Sequence, residues 1–312
     1  MVRFHKTTFA IINSHAAYGE AGKKWVHILK YLKKKGFKVT WQFTKKRFHA
    51  YDIARDAVKK GAKLIISIGG DGTFNEVVNG VLSHVPQSEC IPELAIIPIG
   101  TGSDFSKTLK IPRDYKSAID VIKNGKTKLM DVGKVIFETD IKKWKRYFAN
   151  VFDAGLGGSV VRIANRTPKT LGGFITFLFS SLTALLIFKR MKLRIWVDKK
   201  LVDKGLITII GAANGQIFGG GMHIAPMALT DDGILEFLYV KNTNTFKFLA
   251  HVLSKVYDGE HLGYHNVHHY RGRELRIECD KVCLLDIDGE EEKAKEVTIS
   301  IIPKAIKVKV PY

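Results

Sequence analysis

Gly69, Gly70, Asp71, Gly72 and Thr73 stand between an apolar run, KLIISI at 63–68, and a segment with helical spacing. Glycines at such a junction admit positive φ and close backbone approach, so successive amide N–H groups can surround a phosphate at a helix N-terminus. A carboxylate there would repel bare phosphate, which points to Asp71 acting through Mg2+ or water and orienting ATP. The plainer reading is a tight turn whose aspartate caps the helix. One crossover later, PIGTGSDF at 98–105 repeats the arrangement with Gly100, Thr101, Gly102, Ser103 and Asp104. On neighbouring parallel strands both loops would lie at the carboxyl edge of the sheet, where ligands bind, and Asp71 and Asp104 could share a metal or water network.

Other segments compete for attention. AYGEAGKK at 17–24 approaches a Walker loop but has Ala17 in place of its first glycine and Lys24 in place of Ser or Thr. Ser14, His15 and Gly19 still follow the first strand, within reach of nucleotide phosphates. In the second half, GGGMHIAPMALTDDG at 219–233 joins glycines to Asp231 and Asp232, which suit either a hard cation or a turn ahead of Gly233. LLDIDGEE at 284–291 reads as a hairpin turn at Asp288 and Gly289, or as a mount for Glu290 as general base. His265, His268 and His269 fit a surface cluster better than zinc, because His268 in a strand faces away from the other two.

The elements that must position these groups follow from periodicity. TTFAIIN at 7–13, KVTWQF and KLIISI read as strands, separated by helices near 20–35, closed by Gly36, and 49–60, ended by Gly61. After GGDG, Thr73 and Glu76 have capping-box spacing, and Phe74, Val77, Val78, Val81 and Leu82 form one stripe. LAIIPI at 94–99 is the next strand, followed by a short helix near Ser103, where Ser103 can cap, and another at 115–124. This alternation predicts crossover units on a parallel sheet. From Met130 the pattern changes to MDVGKVIF, KRYFANVF, KLRIWV, GLITIIGA, GILEFLYV, RELRIEC and KVCLLDI, shorter strands suited to an antiparallel domain, with helical inserts near 156–166 and 173–188.

Composition bounds the rest. The chain has 312 residues, enough for two domains, and 46% hydrophobic against 26% charged residues excludes a disordered or collagen-like chain. Three cysteines without metal-ligand spacing or a redox motif exclude a disulfide-rich scaffold and fit a reducing compartment. The apolar start is too short for a leader and reads as a strand. Residues 170–188 are uncharged but spend seven positions on Gly, Ser and Thr, and read as a buried or membrane-surface helix rather than a span.

Taken together, GGDGT with Glu76, PIGTGSDF, the 219–233 stretch and the late DGE resemble the diacylglycerol kinase catalytic-domain family, which includes sphingosine kinases and bacterial lipid kinases. The resemblance covers nearly the whole chain. It implies an α/β three-layer nucleotide-binding domain at 1–130, rejoined by a strand at 297–312, and a mostly antiparallel β-sandwich lipid-binding domain at 131–296, with both sites at the cleft between them. It further implies Gly69, Gly70, Gly72 and Thr73 as the nucleotide-phosphate loop, with Asn13, Ser14, Gly100, Thr101, Gly102 and Ser103 completing the cofactor contacts. Asp131 would join Asp71 and Asp104 around magnesium, partly through water. Glu290 would be the base, and Asp232 lies where some bacterial members hold a structural metal. Ser14 replaces the usual Pro, and Ser103 the usual Asn.

The expected chemistry is a Mg2+-ATP-dependent lipid kinase: Glu290 takes the proton of a lipid hydroxyl as its oxygen attacks the γ-phosphorus. The sequence leaves diacylglycerol, a sphingoid base and other hydroxylated lipids open as the acceptor. The alternatives are an NAD or other small-molecule kinase, and a non-catalytic basic protein binding nucleic acid or membrane. No base-reading motif supports nucleic acid. The formal charge is +20, of which residues 1–60 hold 15 Lys plus Arg against Glu20, Asp52 and Asp56. That surface suits a cytoplasmic enzyme held peripherally on anionic lipid. The oligomeric state stays open, a homodimer included.

Overall fold

The computed structural model describes residues 7–84, 91–100, 102–138, 143–166, 179–181, 183–184, 187–188, 190–241, 243 and 245–312. The chain divides into two compact units, Met1–Met130 with Lys304–Tyr312, and Asp131–Pro303.

In the first unit, β1 (Thr8–Ile12), β2 (Val39–Phe43), β3 (Leu64–Gly69) and β4 (Glu93–Pro98) form a parallel sheet in the order β2-β1-β3-β4. The end of the last strand, β13 (Glu290–Val310), adds to β4 through Lys307 and Val308. The helices are α1 (Glu20–Lys34), α2 (His49–Lys59), α3 (Asp71–His84), α4 (Asp104–Thr108) and α5 (Tyr115–Asn124). β3 is buried throughout, as a parallel strand covered on both faces must be. On α1, Ala21, Trp25, Ile28 and Leu32 make the buried stripe, while Lys23, Lys24, Lys30, Lys33 and Lys34 stay exposed. That helix ends at Gly36, whose φ of 89° lets its N–H donate to Lys33 O and that of Phe37 to Leu32 O.

The capping box expected from Thr73 and Glu76 does not form. α3 begins at Asp71, ahead of the spacing the box requires, and the Glu76 carboxylate accepts instead from Phe48 N and Ala50 N, both at 2.9 Å, at the start of α2.

The second unit is mostly antiparallel. Its strands are β5 (Lys126–Glu138, entering from the first unit), β6 (Lys143–Phe148), β7 (Val151–Gly155), β8 (Met191–Val197), β9 (Lys200–Ala213), β10 (Leu235–Lys241), β11 (Val267–Gly272), β12 (Glu274–Ile287) and the start of β13. β5 and β6 form a hairpin. β9 pairs with β10, β7 and β8, while β12 pairs with β7, β8 and β13. Phe148, Phe152, Ile195, Phe237, Ile277 and Ile287 centre the core. A helix, α6 (Leu156–Arg166), follows β7.

Two strand expectations change. KRYFANVF is divided between β6 and β7, and RELRIEC with KVCLLDI is one strand, β12, whose register shifts between Glu278 and Cys283. Across that irregularity Cys279 and Cys283 form a disulfide, so two of the three cysteines taken as fitting a reducing compartment are a bonded pair. The insert at 173–188 falls largely outside the described residues. Among the described residues no helix is long and apolar enough to cross a membrane.

Candidate active site

The register of the parallel sheet gathers three loops. Ile12 pairs with Ile68 and Gly69 with Pro98, so β1, β3 and β4 end level and deliver Asn13, Gly70 and Gly100 to one edge. Asn13 N donates to Ile68 O at 3.0 Å and Ile99 N to Gly69 O at 2.9 Å. Asn13 Nδ2 then donates to Thr73 Oγ1 at 3.0 Å, tying the first loop to the helix after the second. The Ser14 hydroxyl lies 3.3 Å from the neighbouring His15 ring.

Gly69 and Gly100 are needed here for proximity, not for positive φ, which neither adopts. A Cβ on Gly100 would lie 2.6 Å from the Cα of Gly70, and one on Gly69 would lie 2.6 Å from Thr73 Oγ1. Gly100→Val therefore forces the two loops apart. The expected result is at least a tenfold loss of nucleotide affinity, seen by calorimetric titration, with the circular dichroism of the fold retained.

Asp71 joins the loops electrostatically. Its carboxylate accepts from Asp104 N at 2.9 Å and Phe105 N at 3.2 Å, so it caps α4. Ser103, expected as a cap, makes no capping bond; it is left-handed at φ 51° and its hydroxyl reaches Gly100 O at 3.4 Å. That backbone is one Asn tolerates better than Ser. Asp104 is buried and accepts from Lys107 Nζ at 2.7 Å. A Cβ on Gly102 would lie 3.4 Å from Asp104 Oδ2 and 3.7 Å from Asp71 Oδ2, so both oxygens border one small space. This hard-oxygen pair beside a glycine cradle fits hydrated magnesium on a phosphate. Thr101 lies outside the described residues.

In the second unit, Asp131 is fully buried. It accepts from Gly233 N at 2.6 Å, while its own N–H donates to Thr230 O at 2.8 Å. Asp232 belongs to that turn: it accepts from Arg271 Nη2 at 2.9 Å and Ile234 N at 3.1 Å. The histidines disperse, His269 to Glu236 at 2.6 Å, His268 onto Tyr239 and His265 onto Tyr264. Among the described residues no group of three or more His, Cys, Asp or Glu gathers as a metal site.

The DGE segment is the expected hairpin, with Asp288 at φ 50° and Gly289 at φ 91° between Ile287 and Glu290, which pair across it. Asp288 anchors the turn, accepting from Ala149 N and Val151 N, each at 2.8 Å, and from Asn150 N at 3.2 Å. Glu290 is left half-buried beside it.

Sequence reasoning passed over two groups. Asp153 and Asp286 are cross-strand partners on β7 and β12, both buried, and Asp286 accepts from Gly289 N at 2.7 Å. Burial pushes the Asp153 carboxyl up to about 7, the Gly158 amide moderating the rise. Burial, and then the neighbouring Asp153, raises Asp286 well above the usual range. The visible signal was a lone carboxylate inside the otherwise apolar VFDAG. Asp153 also lines a cavity of about 110 Å³ walled by Val160, Ile209, Leu238, Val240, Phe248 and Val252.

Comparison with known proteins matches these parts. The diacylglycerol kinase catalytic domain matches residues 7–135, and the YegS C-terminal NAD kinase beta sandwich-like domain matches residues 150–310. The diacylglycerol kinase of Staphylococcus saprophyticus is 30% identical over 263 residues, 83% of this chain and 80% of that protein. The chain belongs to the diacylglycerol kinase catalytic-domain family. It is an enzyme, a lipid kinase that transfers phosphate from ATP to a lipid acceptor. The diacylglycerol kinase of Staphylococcus carnosus is 28% identical, covering 84% of this chain and 81% of its own.

The family fold agrees with the observed α/β and antiparallel units. A diacylglycerol kinase structure from Bacillus anthracis str. Sterne superposes with a TM-score of 0.73 at 22% identity, covering 99% of this chain and 98% of that one. Yeast NADH kinase shares the fold at a TM-score of 0.55 and 11% identity, covering 99% of this chain and 84% of that one. Likeness to an NAD kinase thus extends to the fold, while family membership sets the soluble-acceptor and non-catalytic readings aside.

Proposed function

We propose that this lipid kinase phosphorylates the hydroxyl of a long-chain lipid, part of whose hydrocarbon enters the apolar cavity of the second unit. The carrying observation is that cavity: an apolar chain gains about 25 cal/mol per Å² on entering it, more than a polar sugar acceptor would. Diacylglycerol, which names the curated relatives, and a sphingoid base both have such chains.

Within this reading the chain's residues divide the work. Asn13, Ser14, Gly69, Gly70, Gly72, Thr73, Gly100, Thr101, Gly102 and Ser103 form the nucleotide cradle, and Arg113, donating to Gly100 O at 3.2 Å, braces its second loop. Asp71, Asp104 and Asp131 supply the carboxylates for magnesium, which when bound would neutralise phosphate charge. Asp71 has a second task, fixing the amides of Asp104 and Phe105. Glu290, held by the Asp288 anchor, removes the proton of the lipid hydroxyl. Asp232, engaged by Arg271, holds the 230–233 turn against Asp131. The exposed lysines of α1 face an anionic membrane surface, which brings the enzyme to its substrate.

Incubation with γ-labelled ATP and a lipid extract, followed by organic extraction and mass identification, tests the reading. Label is expected in a lipid monoester. Label confined to the aqueous phase, in a phosphorylated soluble acceptor, would overturn it.

A further inference from the structure

Three carboxyl groups stand in a row across the second unit's sheet. The register sets Asp153 of β7 opposite Asp286 of β12, and Asp286 in turn opposite Glu291 of β13. Directly opposed residues of antiparallel strands point to one face with Cβ atoms roughly 4.5–5.5 Å apart, where like charges repel. Asp286 is fully buried and Asp153 is 3% exposed. Glu291 has the Arg162 guanidinium of α6 at 3.8 Å, whereas no cation among the described residues offsets the inner two. The Gly158 amide faces Asp153, and Gly211, its partner on β9, carries no charge. Burial holds the His261 ring of the same cavity below the ordinary histidine range, so it is neutral at pH 7 and above. Asp288 and Glu290, next along the chain, add like charge. Burial raises both inner carboxyls, so the pair titrates as a unit that keeps a proton at neutral pH.

That proton has a structural use. Asp286 Oδ1 accepts from Gly289 N at 2.7 Å, while its Oδ2 has no hydrogen-bond partner in the protein. A proton held between Oδ2 and the Asp153 carboxyl supplies one and removes the repulsion that would drive the two apart. Gly289, at φ 91°, immediately precedes Glu290. The turn is thus held twice, by Asp288 to the amides of residues 149–151 and by Asp286 to the last amide before Glu290.

We propose that Asp286 is a positioning residue for phosphoryl transfer: one proton shared with Asp153 keeps it turned toward Gly289 N and so fixes the peptide from which Glu290 projects. The inference rests on the reading of Glu290 as the base. Loss of the shared proton leaves two opposed buried carboxylates, loosens the Gly289 bond and lowers kcat on the alkaline side.

Two readouts on the full-length protein test this. The first is kcat at saturating Mg2+-ATP and diacylglycerol in mixed micelles from about pH 6.5 to 9, each profile normalised to its own value at pH 7. The unaltered protein is expected to lose at least threefold between pH 7 and 9 with its KM for ATP unchanged. Asp286→Asn and Asp153→Asn should each flatten that loss, since a pair with one neutral amide has no second charge to repel. Asp286→Leu, which cannot accept from Gly289 N, should have a kcat at least tenfold below that of Asp286→Asn at every pH, with ATP affinity retained. The second readout is the Gly289 amide resonance in protein labelled with 15N-glycine and 13C-carbonyl aspartate, which selects the Asp–Gly pairs. It is expected to move over the same pH range as the loss of kcat, and to stay put in both Asn variants. An alkaline loss undiminished in both Asn variants overturns the proposal, as does its absence from the unaltered protein, a Gly289 resonance that ignores pH, or equal kcat in the Leu and Asn variants. Should Asp286→Leu fail to fold, the Asn variants and the resonance still decide. Undiminished turnover in Glu290→Gln would count against the base reading instead, and the Gly289 resonance would judge the shared proton apart from it.

Discussion

Glu290→Gln is expected to lower kcat by about 10²–10⁴ while leaving nucleotide affinity unchanged, because it removes a proton acceptor and keeps the side chain's size and shape. Asp288→Asn, two residues earlier in the same turn, should do the reverse in emphasis. Asp288 is buried and takes three backbone N–H donors, so an amide placed there turns an N–H group against at least one of them. The expected cost is about 2–3 kcal/mol, a fall in Tm of roughly 5–10 °C. Activity lost in Asp288→Asn should return in part on cooling or in stabilising osmolyte; activity lost in Glu290→Gln should not. Undiminished turnover in Glu290→Gln would remove it from the role of base, and an unchanged Tm in Asp288→Asn would show that the anchor is dispensable.

The contrast also shows what was legible beforehand. Glycine loops announce themselves because close backbone approach excludes every other residue, and the 2.6 Å clearance at Gly100 is such a constraint. Of the two reasons expected for glycine there, close approach holds at Gly69 and Gly100, and positive φ does not. The alternation of strand and helix up to Met130 followed from periods of 2 and 3.6, which are local. Carboxylate partners are not local. Glu76 bonds amides 26 and 28 residues away, and Asp288 bonds amides 137 to 139 residues away, so spacing suggested a capping box for the first and a bare turn for the second. The cavity was hidden for the same reason. Its walls come from β7, α6, β9, β10 and the residues after Thr245, none of which signals the others.

Asp153→Asn is expected to flatten the pH dependence of stability between about pH 4 and 7, and the sign follows from proton counting. In the unfolded chain Asp153 titrates near the ordinary aspartate value of about 3.9, whereas in the fold burial holds it protonated up to about 7. Between those values the folded state binds the extra proton. Its contribution is therefore present in full below about pH 4 and is lost as pH rises through about 7, at up to about 1.4 kcal/mol per pH unit. Asp286, raised by burial and by Asp153, with Asp288 and Glu290 adding smaller like-charge effects, loses stability in the same direction. Asparagine cannot titrate, and it also relieves Asp286 of its like-charged neighbour. Urea unfolding free energies at pH 5, 6 and 7 should thus fall more steeply for the unaltered protein than for Asp153→Asn, with the variant gaining relative stability toward neutral pH. Parallel curves would mean that Asp153 keeps an ordinary pKa in the fold. A buried carboxyl that costs stability at neutral pH is a candidate for a role in the cavity it lines.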